Sequence, residues 1–113
     1  MNVLRNLKSH LLRASLNTVS EYRVEIRDAV LSYLKIEFSE FDILEEQDKE
    51  SYCFRLNNQS DSHFIRVMYS ATQSSEASEI GPQFEQYAVA STMRGLGDFP
   101  VVVTEQGCMF GSP

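Results

Sequence analysis

The residues of this chain able to hold a metal ion or move a proton are few: His10 and His63, Cys53 and Cys108, and a run of acids from Glu37 to Glu50. A structural zinc site takes four nitrogen or sulfur ligands at close spacing, and no CxxC or HxxxH pair occurs. Strand alternation, developed below, sends Cys53 and His63 to opposite faces, so no metal and no cofactor is expected. His10 lies among basic residues and no GxSxG turn exposes a nucleophile, which removes the serine-hydrolase triad. Gly95 and Gly97 precede a strand, the wrong context for a phosphate-cradling loop. The acids are the remaining chemistry. Glu40, Asp42, Glu46 and Asp48 alternate onto one side of a strand, where paired carboxylates could share a proton or a cation. Acids at a hairpin tip are ordinarily solvated surface, so a carboxylate-based or metal-dependent enzyme is the lesser reading, and no catalytic residue is assigned.

The elements that would position these groups follow from periodicity. Leu4, Leu7, Leu11 and Leu12 recur at helical spacing in residues 1–17, with Arg5, Lys8 and Arg13 between them. Thr18 and Glu21 form a capping-box pair, so a second helix is expected from about Val19 to Lys35, with Tyr22, Ile26, Ala29, Val30, Tyr33 and Leu34 as its apolar stripe. The period then falls to two. Residues 41–46, 51–56 and 63–69 read as three strands joined by polar, turn-forming linkers, the pattern of antiparallel hairpins. Residues 70–81 are Ser-rich and aperiodic, a loop or fraying lead-in. Pro82 suits the first turn of a helix that ends at Arg94 with Gly95 as its left-handed cap. Phe99–Thr104 is a Val-rich strand, more central than edge, and residues 106–113 are expected to be irregular. The expected fold is a single α+β domain over 1–113 in the order ααβββαβ, an antiparallel strand meander plus a C-terminal strand with helices packed on one face.

Register follows from parity. Pairing Glu46 with Ser51 and Asn57 with Ser62 lines up Phe41, Ile43, Tyr52, Phe54, Leu56, His63, Ile65 and Val67 on one apolar face, with His63 at its rim. It also sets Asp42 opposite Arg55 as an ion pair. The other face then gathers Leu44, Cys53, Phe64 and Met68 among Arg55 and Arg66. A half-apolar sheet face of this kind is covered by another element or another chain. Leu44, Cys53, Arg55, Phe64, Arg66 and Met68 are therefore the candidate partner-binding residues. The N-terminal helix could cover them in cis; otherwise a homodimer is expected, or a protein client. The alternative is a small-molecule-binding domain whose pocket, between the sheet and the Pro82 helix, is lined by Tyr52, Tyr69, Phe84 and Tyr87.

Composition narrows the partner class. Hydrophobic residues at 42% suit a packed core and not a disordered chain. The net charge of -6 equals the excess in the Glu37–Glu50 segment alone. Clustered cations occur only near the N-terminus, so nucleic acid is an unlikely partner. The longest apolar run falls far short of the roughly 20 residues a membrane span needs. Two cysteines without framework spacing fit a reducing cytoplasm. In outline, the αβββαβ order resembles the core of restriction-endonuclease-like nucleases. That resemblance implies a carboxylate pair holding metal, but the third strand, His63 to Met68, carries none. A leading helix before a meander also resembles type III secretion chaperones, which implies a dimer that binds protein clients.

Overall fold

The computed structural model describes residues 21–110, without the side chain of Phe110. The expected N-terminal helix and its neighbour Thr18 lie outside the described residues. Within them the chain runs α1 (Val24–Glu37), β1 (Asp42–Glu46), β2 (Ser51–Asn57), β3 (Ser62–Met68), α2 (Tyr69–Thr72), α3 (Ala77–Gln86), α4 (Val89–Leu96), β4 (Val101–Thr104) and β5 (Gly107–Phe110). The five strands form one sheet in the order β1-β2-β3-β4-β5, antiparallel except where β4 lies parallel to β3. That parallel pair is why three helices stand between β3 and β4: a parallel return requires a long crossover. The mixed α+β class agrees with the sequence pattern, and the element order agrees roughly.

Helix α1 presents Ile26, Val30, Tyr33 and Leu34 to the interior, the stripe set by spacings of three and four. It begins at Val24, five residues later than the cap signature suggests. Arg23 is held extended as its N-cap, because its amide donates to the Tyr52 hydroxyl at 2.9 Å. Its guanidinium also donates to the carbonyls of Thr72 (3.2 Å) and Ser75 (2.8 Å). One arginine therefore ties the start of α1 to the end of α2.

The β2–β3 register is the expected one, with Asn57 opposite Ser62 and Phe54 opposite Ile65. The β1–β2 register is shifted by two residues, with Ile43 facing Leu56 and Glu45 facing Phe54. A shift of two keeps every side chain on its own face, so the face assignment survives while the ion pair does not. Leu44, not Asp42, stands opposite Arg55, which instead binds the diagonal Glu46 at 2.8 Å. The shift also gives Glu45 a cation: it points to the helix side, where Arg27 of α1 reaches it at 3.2 Å and Tyr22 donates at 3.3 Å. An inward charge on an edge strand is a common guard against further strand pairing.

Residues 69–96 differ most from expectation. Tyr69 opens α2 and does not extend β3. Helix α3 starts at Ala77, where the Glu79 carboxylate accepts from the Glu76 amide at 2.8 Å, so Pro82 falls inside the helix and not at its first turn. Its ring forfeits the bond to the Ser78 carbonyl, tolerable because both residues are exposed. The single expected helix is broken at Ala88, whose φ of 55° is in the left-handed region, and the cap of α4 is Gly97 (φ 61°), not Gly95. The Tyr33 hydroxyl accepts from the Ala90 amide at 3.1 Å, satisfying one orphan donor of the new helix start. The segment expected to be irregular contains β5, joined to β4 by the tight turn Glu105–Gln106. The Thr104 hydroxyl accepts from the Gln106 amide there, at 3.1 Å. With β5 in place, β4 is an interior strand, as its Val-rich run suggests.

One core holds these parts together. Tyr52, Phe54, Leu56, Ile65, Val67, Val101 and Val103 of the sheet meet Ile26, Val30, Leu34, Ile80, Phe84, Val89 and Met93 of the helices. All lie on the same side of the sheet.

Candidate functional site

Alternation along the strands makes the second face as surely as it makes the core. Odd positions of β2 and even positions of β1, β3 and β4 point away from the helices. They set Leu44 beside Arg55, Cys53 beside Arg66, and Arg66 beside Val102, which in turn faces Met109. None of Leu44, Phe64, Met68, Val102 or Met109 belongs to the core cluster or packs against it. Leu44 is 60% exposed and Met109 45%, whereas Phe64, Met68 and Val102 are partly buried. This outer face carries apolar side chains from β1, β3, β4 and β5 interleaved with Arg55 of β2 and Arg66 of β3, with no described helix across it.

Its polar groups form a frame. The Arg55 guanidinium lies over the Phe64 ring at 4.9 Å while it pairs with Glu46 at 2.8 Å. That contact with Glu46 raises the affinity of Arg55 for its proton. Asp48, in the β1–β2 loop, accepts from the Ser51 hydroxyl at 2.7 Å and from the Glu50 amide at 3.1 Å. The Ser51 bond above all holds its carboxyl below the usual range, against the opposing effect of burial and with help from the Glu50 amide and Arg66. Neither Arg66 nor Asp42 makes an ion pair among the described residues.

All six expected partner-binding residues are on this face, but Cys53 is not available to a partner. It is 2% exposed, and its thiol sits 3.2 Å from the Ser51 hydroxyl. Leu44, Arg55, Phe64, Arg66 and Met68 remain accessible in part. The sequence reading missed Val102 and Met109. The signal was present: Val102 alternates with the buried Val101 and Val103, and a two-residue turn after Thr104 would carry Met109 to the same side.

The four aromatics expected to line a ligand pocket divide into separate settings. Tyr52 packs edge-on against Tyr69 at 4.8 Å, and Phe84 packs edge-on against Tyr33 at 5.2 Å. Tyr52 and Phe84 are fully buried, while Tyr87 lies half-buried beside Gly107 and accepts from Gln83 at 3.4 Å. Burial raises the phenols of Tyr52 and Tyr69, the latter to about 12. Tyr69 borders a cavity of about 260 Å³ together with Tyr22, Glu45, Glu46, Asp48 and Ser51, a lining that includes none of the other three.

The acidic residues are equally divided. Glu40 and Asp42 border an open groove with Asn58, Gln59 and Ser60. Glu46 belongs to Arg55, and Asp48 to its own loop. Among the described residues no three His, Cys, Asp or Glu side chains stand close enough to share an ion. Both cysteines are free thiols, and burial raises that of Cys108. No described helix is long and apolar enough to cross a membrane. Comparison with known proteins gives no matching family model, no matching curated protein and no matching solved structure.

Proposed function

We propose that this chain is a non-catalytic interaction module that works as a homodimer, the outer face of one copy lying against the outer face of another. The observation that carries the reading is the contrast in cover: the helices bury one side of the sheet, while Leu44, Phe64, Met68, Val102 and Met109 form an apolar patch on the other. Charge supports a second copy as the occupant. Each face presents an Arg66 and an Asp42 without ion-pair partners among the described residues, so a two-fold pairing can set unlike charges together. Five strands about 4.8 Å apart and about five residues long offer a footprint of roughly 400 Å² per subunit. The buried total, under about 1,000 Å², is at the small end of specific interfaces, so association is a concentration-dependent equilibrium.

Sedimentation across a concentration series from about 1 to several hundred micromolar, the range such a small interface implies, tests this directly. The mass should rise from monomer to dimer, and Phe64→Glu should hold the chain monomeric with an unchanged circular dichroism spectrum. A wild-type chain that stays monomeric throughout, or a Phe64→Glu dimer as tight as wild type, removes the proposal.

A further inference from the structure

A second, independent feature lies at the opposite end of β2 and β3 from Tyr52. Phe38 caps the end of α1, Phe41 precedes β1, His63 is the second residue of β3, and Arg94 and Gly97 close α4. These residues, with Asp61, border one cavity of about 280 Å³. That volume is near the lower edge of ligand pockets, roughly 300 Å³, and suits a molecule of one or two rings. The walls are already set. Phe38 and Phe41 meet edge-on at 5.5 Å, and each ring stands about as far from the imidazole of His63, at 5.4 and 5.3 Å. The Arg94 guanidinium covers Phe38 at 4.8 Å and is fixed there by donating to the Glu37 carbonyl at 2.7 Å.

His63 is 6% exposed, and its Nδ1 lies 3.1 Å from the carbonyl oxygen of Gly97. A carbonyl can only accept, so Nδ1 carries a proton, and in a neutral imidazole that leaves Nε2 as a lone-pair acceptor. Among the described residues Nε2 has no hydrogen-bond partner. A buried acceptor left unmatched is rare in folded proteins and calls for a water or a ligand. We infer that this cavity binds a small planar aromatic molecule bearing a ring N–H or O–H, its rings against Phe38 and Phe41 and its donor on Nε2 of His63. A site built around a buried acceptor discriminates against an analogue that cannot donate, because the acceptor would then be left unpaired.

The test titrates the full chain with indole, with phenol and with toluene as the donorless control, following the imidazole nitrogens by NMR. A His10→Asn variant assigns the signals. Indole or phenol should shift the Nε2 resonance of His63 and bind at least about tenfold tighter than toluene, the ratio a single hydrogen bond supports. Equal binding of toluene overturns the inference, and so does an Nε2 resonance unmoved at the solubility limit of all three, which would leave only an ordered water there. His63→Phe keeps the aromatic volume and removes the acceptor, so indole should lose its advantage; an advantage retained also overturns the assignment. If that variant does not fold, the wild-type comparison of donor and donorless probes decides alone.

Discussion

The two faces of this sheet are written in the same strands and differ only by parity, yet one is a core and the other a surface. Phe54 and Phe64 show the difference. Phe54 sits on the helix side at 0% exposure, among Ile43, Leu56, Ile65 and Val67, while Phe64 lies on the outer side with one face under the Arg55 guanidinium. Chemically identical side chains thus do different work: the first holds the fold together, and the second remains available to another surface. What separates them is cover. Residues 69–96 return the chain to the helix side of the sheet before it enters β4, and α1 lies on the same side, so among the described residues no helix lies across the outer face.

Chemical denaturation gives the largest contrast. Phe54→Ala should cost about 3–5 kcal/mol, since its neighbours are fixed on both sides and cannot collapse into the space. Phe64→Ala should cost less, about 1–2 kcal/mol, because its ring is only partly buried and lies outside the core cluster. Similar losses at both sites would mean that something covers the outer face within the monomer, and the homodimer reading would have to yield.

Alkaline titration probes the helix side alone. The Tyr69 phenol ionises near 10 in the unfolded chain and at about 12 in the folded one, chiefly because burial opposes the phenolate. Its contribution to stability is complete below about pH 10 and is lost as the pH climbs toward 12, a decline of at most about 3 kcal/mol. Tyr52, raised in the same direction, adds to it. Tyr69→Phe should flatten that part of the stability profile, and an unchanged slope between about pH 10 and 12 would show that the ring is hydrated in solution.

The smallest effect belongs to the outer frame. Glu46→Gln removes the partner of Arg55, and an exposed pair of this kind is worth roughly 0.2–1 kcal/mol, falling with salt. Thermal melts at low and high ionic strength should therefore converge for wild type and variant. A loss above about 2 kcal/mol, beyond the range of exposed pairs, would place the pair in a drier setting than a bare monomer offers.

Much of this was legible in the sequence, and the misses share one cause. The stripe of α1, the β2–β3 register and the sorting of side chains by face all follow from spacing, a local property. The β1–β2 register differs by two because the hydrophobic pattern is blind to even shifts, and the partner Glu45 meets in the observed register, Arg27, sits on a helix where no strand pattern announces it. Pro82 looked like a helix start because the stronger start, Glu79 reaching back to Glu76, carries no apolar periodicity to announce it. Parity also puts Cys53 on the outer face, where it is 2% exposed. Parity gives the side a residue points to, not how deeply its neighbours bury it.

The sequence by itself determined the class of the fold, the two faces and the residues that populate them, because periods of 3.6 and 2 are properties of the chain read one turn or one strand at a time. Only the tertiary structure decided that β5 completes the sheet, that Arg23 ties α1 to α2, and that Phe38, Phe41, His63 and Arg94 enclose one cavity. Each of those joins residues far apart along the chain. Such contacts depend on how elements pack against one another, and no local spacing encodes them.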